Sequence, residues 1–262
     1  MMRSAFNTQR HVIYALFMRD LQTRFGGGGG GYLNYIVTLG WPLAHITLLL
    51  FIYSAMGRAA PLGDDPTMFF ATGLVPYMVF YYPARFMMMS ILMNRPLTQF
   101  PVVKLFDILL ARAMVEVITG FAVVCVTAGV LFGLGHDVVP KDPGIAISAI
   151  AASLFCAIGF GAVNAMLAGL IRIWIFVFIV FAISLYIFSG IIFVVPALPE
   201  KIQYYLSWNP VVHNVSWFRS AYYSNYETAL IPSKTYPFVF GLLMLLLALV
   251  LERFIAPRFM DT

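Results

Sequence analysis

Along most of this chain, long apolar windows alternate with short basic punctuation. Windows free of charge, or charged only toward one end, cover residues 32–57, 66–89, 105–134, 143–171, 173–196 and 235–255. About 20 apolar residues cross a hydrocarbon core of about 30 Å, so each window is long enough for a helical span with some tilt or snorkelling. The pattern predicts an all-α membrane protein with six transmembrane helices, which puts both termini on one side. Ahead of them, Ile13, Leu16, Phe17, Leu21 and Phe25 fall on one helical face among Arg3, Arg10, Arg19 and Arg24. That is the mark of a basic amphipathic helix lying in the membrane interface. Six consecutive glycines follow at 26–31. At about 1 kcal/mol each relative to alanine in a helix, they predict a flexible linker. Residues 1–31 thus read as interface helix plus linker, and 257–262 as a short tail.

Two segments break the alternation. Residues 90–107 are too short to cross a bilayer and are punctuated by Pro96 and Pro101. Arg95 and Lys104 flank an apolar side made by Leu97, Phe100 and Val103. That side has to be buried, either on the lipid surface or against a soluble partner that moves the adjoining spans. Residues 197–226 contain an uncharged stretch, 202–218, which Asn209 and Pro210 split in two. Neither half can span, and Tyr204, Trp208 and Trp217 make both aromatic. Two short half-helices dipping into the outer leaflet are expected, because bent backbone at that depth is tolerated only in protein or beside a cavity. An aromatic belt at the outer interface is the plain reading of these residues. An exit gate built on Tyr204, Trp208, Asn209, Pro210 and Trp217 is the functional one.

Composition agrees with the pattern. Of 262 residues, 61% are hydrophobic and 10% charged, against about 45–50% apolar and about 25% charged in ordinary soluble domains. The formal charge of +5 is small and spread over loops. It points to membrane topology and anionic headgroups rather than nucleic acid. Placing the N-terminus inside puts eleven of the sixteen Lys and Arg residues on the cytoplasmic face, counting Arg85 and Arg112, and leaves Arg58, Lys141, Lys201, Arg219 and Lys234 outside. The positive-inside rule therefore favours cytoplasmic N- and C-termini. Cys125 and Cys156 both fall within spans and read as buried small hydrophobes.

Catalytic chemistry finds little support. Gly26 and Gly31 have the spacing of a phosphate loop, but Tyr32 and Leu33 stand where Lys and Ser or Thr are needed, and no GK[ST] occurs anywhere in the chain. The chain is therefore expected to bind no nucleotide, cofactor or metal of its own. HExxH, GxSxG and paired CxxC motifs are absent from the sequence as well. His45, Arg85, Glu116 and Asn164 are the polar groups nearest the membrane interior. Intramembrane ionisable groups are functional candidates by default. Here Arg85, Asp107, Arg112 and Glu116 sit near expected cytoplasmic ends, where snorkelling or mutual pairing accounts for them. Small residues at Gly129 and Gly133, and at Gly161, Ala165 and Gly169, predict close helix packing.

Several short motifs in order carry a family resemblance: Arg19-Asp20-Leu21-Gln22-Thr23-Arg24-Phe25-Gly26, Gly31-Tyr32-Leu33, Trp41-Pro42-Leu43-Ala44-His45-Ile46, Asn94-Arg95-Pro96-Leu97 and Trp208-Asn209-Pro210. With them the chain resembles, over its whole length, the permease subunits of type 2 ABC exporters, and more narrowly the capsular polysaccharide export permeases of Gram-negative bacteria. It departs from that family between Phe25 and Tyr32, where mixed basic and polar residues are usual and only glycine is present.

The resemblance implies an inner-membrane subunit paired with a second copy of itself and with two ATPase subunits that hold ATP and magnesium. The implied cargo is a lipid-linked polysaccharide passed to periplasmic and outer-membrane proteins. It also makes the segment with Arg95, Pro96, Leu97, Phe100, Val103 and Lys104 the coupling helix to the ATPase. Aromatic rings pack on the C–H faces of sugars while keeping a polar handle. Tyr32, Tyr35, Trp41 and His45 on the first span, with Trp174, Phe178, Phe181 and Tyr186 on the fifth, are thus the channel candidates. The alternatives are the same kind of permease with another cargo (O-antigen, teichoic acid or a drug) and a secondary transporter. The second is disfavoured by the lack of paired intramembrane acids and of repeat symmetry.

Overall fold

A computed structural model describes residues 5–25, 32–57, 60–171, 173–224, 226 and 233–260. Side chains at 5, 24, 25, 32–38 and 256–260 are not described. The glycine linker, the last two residues, and the side chains of Tyr32 and Tyr35 lie outside what it describes.

Every element among the described residues is helical. The order is α1 (Ala5–Phe25), α2 (Tyr32–Ala55), α3 (Pro66–Met93), α4 (Leu105–Gly133), α5 (Pro143–Leu170), α6 (Trp174–Ile187), α7 (Glu200–Leu206), α8 (Pro210–Ser220) and α9 (Tyr236–Met260), with short 3-10 turns at Arg95–Gln99 and Val195–Ala197. Three helices start by one local device. Asp65, Asp142 and Asn209 each stand before a proline, and their side-chain oxygens accept from Thr67 N at 2.8 Å, Ile145 N at 3.0 Å and Val211 N at 2.9 Å. The cap satisfies an orphan donor, and the proline fills a position that needs none.

The bundle is built around α3, which is buried on all sides from Met68 to Phe80. That helix packs on α5, α4, α8 and α2, while α5 carries α9 on its other side. Close approach depends on glycine. A Cβ on Gly161 would lie 2.8 Å from Ala84 O of α3, and one on Gly159 would lie 3.0 Å from Gly241 Cα of α9. The other expected packing pair, Gly129 and Gly133, is exposed and meets nothing within 4 Å. Cys125, expected to be buried, is exposed on α4, whereas Cys156 is buried on α5 and donates to Pro237 O at 3.0 Å.

Among the described residues, three helices are long and apolar enough to cross a membrane: Leu105–Gly133, Pro143–Leu170 and Tyr236–Ile255. Leu39–Ala55 and Trp174–Ile187 are shorter apolar helices. Two boundaries differ from expectation. The window 173–196 is helical only to Ile187, because the chain turns at Ser189 and at Gly190, whose φ of 79° is the left-handed conformation glycine tolerates. The expected coupling helix is a five-residue 3-10 turn. Pro101 forces Phe100 into extended backbone (φ −85°, ψ 120°) and stops the turn there.

These contacts sort the glycines. Gly159→Ala is expected to destabilise the chain by roughly 1–3 kcal/mol through overpacking, whereas Gly129→Ala leaves stability unchanged or slightly raised. Thermal unfolding of both variants in detergent micelles checks the contrast.

Candidate functional site

At the end of the bundle where α3 hands over to α4, α1 docks through charge as well as apolar contact. Leu16 packs with Ile108 and Ala111 of α4, and Val12, Phe17, Leu97 and Val103 close around them. On the same face Asp20 is buried, 3.8 Å from Arg112, which pairs with Glu116 at 2.8 Å. Arg19 holds Asp20 at 2.6 Å and donates to Asn94 Oδ1 at 2.5 Å, tying α1 to the end of α3. Gln9 donates to Asp107, whose carboxylate also accepts from Lys104 N at 2.9 Å. The buried face of α1 is therefore part carboxylate. It is built to dock on protein, where each buried charge finds a partner.

This docking divides the expected coupling residues. Leu97 and Val103 turn inward onto α1 and α4. Arg95, Pro96 and Lys104 are exposed, and Phe100 is 57% exposed beside the equally open Pro101 and Val102.

The channel candidates meet on a band of rings whose hub the sequence reading passed over: Tyr77, Tyr81 and Tyr82 of α3. Tyr77 donates to Ala182 O of α6 at 2.9 Å and meets the Tyr186 ring edge-on at 5.0 Å. Tyr186 also hydrogen-bonds Tyr53 of α2. His45 Nδ1 lies 2.9 Å from the Tyr82 hydroxyl. Trp174 donates to Asn164 Oδ1 at 2.9 Å. Phe178 is buried between Tyr81 and Phe160 and belongs to the core, while Phe181 is half exposed. Trp41 is 66% exposed and, with Ala44, His45 and Leu48 of α2 and Tyr81, Tyr82 and Arg85 of α3, lines a recess of ≈ 320 Å³. Spacings 77, 81, 82 and 85 put these side chains on one stripe of α3, a signal the sequence already carried.

At the opposite end, the expected half-helices are α7 and α8, broken at Asn209. Tyr204 and Trp208 are exposed, Pro210 and Trp217 are buried. Asn209 caps α8 and donates to Phe188 O at 3.1 Å, linking α8 to the end of α6. A hollow of ≈ 470 Å³ lined by Phe188, Tyr205, Trp208 and Asn209 separates α6 from α7.

The residue that organises this end is Arg219, counted above as an outer-loop charge. Its exposure is 0%. Its guanidinium donates to Gly190 O, to Phe193 O at 3.0 Å, to Ile191 O at 2.6 Å and to Phe69 O at 3.3 Å, and lies 4.0 Å over the Phe69 ring. No carboxylate pairs with it among the described residues; carbonyl dipoles and a ring face balance the charge. Beyond α8, burial pushes the Tyr222 hydroxyl up to about 12, with Tyr223 and Asp137 adding in the same direction.

With this geometry stands a family match. The chain belongs to the ABC-2 type transporter family, whose membrane-domain pattern it matches over residues 11–223. Among relatives, it is 29% identical over 265 residues to the polysialic acid transport protein KpsM of Escherichia coli, covering 97% of this chain and 96% of the other. It is 28% identical over 226 residues to the capsule polysaccharide export inner-membrane protein CtrC of Neisseria meningitidis serogroup B, covering 83% and 81%. The serogroup A counterpart is 27% identical over 247 residues, covering 94% and 92%.

Lysine at 219 keeps the charge but cannot present a planar fork to several carbonyls at once. Arg219→Lys is expected to cost roughly 2–4 kcal/mol, the scale of one or two buried acceptors left unmatched. Thermal unfolding and the amount of folded protein in membranes measure it; an unchanged midpoint would show that the carbonyls find other partners.

Proposed function

We propose that this chain is the membrane subunit of an ATP-driven exporter that moves lipid-linked capsular polysaccharide across the inner membrane of a Gram-negative bacterium. The observation that carries this reading is near full-length similarity to relatives named for polysialic acid transport and capsule polysaccharide export, in a chain without a phosphate loop. ATP and magnesium belong to a separate ATPase subunit, two copies of which dock on two copies of this chain. Helices α2 to α6 and α9 make six crossings, the short α6 completing its crossing with the turn that Arg219 holds. Both termini face the cytoplasm, and the polymer leaves between the two copies toward periplasmic and outer-membrane export proteins.

The coupling element is the tip Phe100, Pro101 and Val102, apolar yet exposed and flanked by Arg95 and Lys104. Leu97 and Val103 seat it on α1 and α4, so a push on the tip reaches α1, α3 and α4 together. The pair α7 and α8 serves as the outer gate, with Tyr204 and Trp208 presented to the exit.

The test uses a capsule-bearing strain that lacks its permease but keeps its ATPase. This chain should restore surface polymer there, and the purified chain alone should hydrolyse no ATP. Losing an interface aromatic costs ~2–4 kcal/mol and losing a rim charge under about 1 kcal/mol. Phe100→Ala should therefore abolish export and ATPase co-purification at normal membrane levels, while Lys104→Ala exports nearly as wild type. Robust hydrolysis by the chain alone would sink the export reading, whereas normal export by Phe100→Ala with the ATPase still bound would sink only the coupling role and leave the tip a turn on the lipid surface.

A further inference from the structure

A groove of ≈ 210 Å³ runs between α2 and α4, on the side of α2 turned away from Trp41 and His45. Leu43, Ile46, Leu50 and Ser54 recur at helical spacing along one wall, and Thr127, Val130 and Leu134 along the other. From Leu43 to Ser54 the α2 wall rises about 16 Å, close to half of a hydrocarbon core of about 30 Å. The groove is thus about one leaflet deep. Its polar groups gather at one end, where Ser54, Thr67 and His136 form a mouth. There α2 stops at Ala55, α3 begins at Pro66 and α4 stops at Gly133. Asp65 holds His136 Nδ1 at 2.6 Å across that mouth while capping α3. The Ser54 and Thr67 hydroxyls make no hydrogen bond among the described residues.

The walls decide what fits. Water needs about two to four polar partners, and below the mouth only the hydroxyls of Thr47 and Thr127 interrupt the hydrocarbon. Thr127 is buried without a partner, but it also borders a separate void of ≈ 30 Å³ with room for the one water it requires. A polypeptide helix, about 10 Å across, is too thick for the groove. A single hydrocarbon chain with a polar end matches both its length and its one-ended polarity. The flank bearing Thr47, Phe51, Val130 and Leu134 is exposed, and α4 is long and apolar enough to cross a membrane. This flank therefore faces lipid, and an acyl chain enters the groove sideways without leaving its own leaflet.

We infer that the groove is a phospholipid site. One ester-linked acyl chain lies between α2 and α4, and the Ser54 and Thr67 hydroxyls donate to its ester oxygens. Under the orientation proposed above, the lipid comes from the outer leaflet. It supplies the packing that α2 lacks on this side, and so steadies the helix that carries Trp41 and His45 on its other face. The site is independent of what the chain exports.

The experiment titrates the purified full chain, in dodecyl maltoside micelles, with phosphatidylcholine bearing a photoreactive diazirine midway along one acyl chain. Peptide mass spectrometry then locates the label. In wild type, residues 43–54 and 127–134 should label several-fold above the exposed apolar face of α9 at 242–250. That labelling should saturate, and unlabelled phosphatidylcholine should displace it where extra detergent does not. Val130→Trp fills the groove and should lower labelling to the α9 level, whereas Val126→Trp, exposed on α4 outside the groove, leaves it unchanged. Ser54→Ala with Thr67→Val should weaken the saturable labelling by about three- to tenfold. Added phosphatidylcholine should raise the thermal midpoint of wild type and Val126→Trp, but not of Val130→Trp. Labelling no higher than on α9, or unchanged in Val130→Trp, overturns the proposal. So does displacement by detergent as readily as by phospholipid, which would mark a surface that any alkyl chain crosses. An intermolecular disulfide through Thr47→Cys, absent from the parent chain, would give the groove to a second copy and overturn it likewise.

Discussion

A helix that stops in the middle of an apolar protein leaves carbonyls with no donor, and in lipid no water can supply one. That constraint shapes the end of the molecule where α6 gives way at Ile187. The bare carbonyls of Gly190, Ile191 and Phe193 converge on Arg219, contributed by α8, and Phe69 of α3 adds a fourth. That guanidinium ties the turn after the short helix to α8 and α3, beside the link that Asn209 makes from the α7–α8 break to the end of α6. Gly73 is part of the same arrangement. A Cβ there would meet both the guanidinium and the backbone of Ile191, so the central helix is thinned where the arginine enters.

The opposite end solves a different problem by related means. There Asp20, Arg112 and Glu116 form a buried chain of alternating charge, and Arg19 extends it to Asn94. Buried ion pairs are poor sources of net stability, but removing one member leaves an uncompensated charge. Such a chain therefore sets geometry. It holds α1, the end of α3 and the start of α4 in one register.

Much of this was legible in the sequence. Charge-free windows found the long helices, and Asn209 with Pro210 announced the break between α7 and α8. What was hidden depended on contacts remote in sequence. The end of α6 is set by an arginine 29 residues beyond Gly190, and nothing near residues 188–193 reports it. Arg219 looked like an ordinary loop charge because its neighbours Ser220, Tyr222 and Tyr223 are polar. The inward turn of Leu97 and Val103 was hidden likewise, since their partner α1 lies some eighty residues away. Tyr77, Tyr81, Tyr82 and Arg85 were the opposite case. Their stripe was visible, but attention to the first and fifth spans passed over the helix between.

The first turn of α4 is where the two ends of the chain meet. Phe106 N donates to Glu252 of α9 at 2.9 Å, and the next residue, Asp107, accepts from Gln9 of α1. Adjacent residues of α4 thus clasp two helices, α9 and α1, that lie more than two hundred residues apart along the chain. Arg19 pairs with Asp20 within α1, but Arg112 reaches the same carboxylate only when α4 is in place. The clasp closes only when α9 arrives. A change at Glu252 of α9 would therefore be felt at the seat of α1, although no contact between those two helices is needed to carry it.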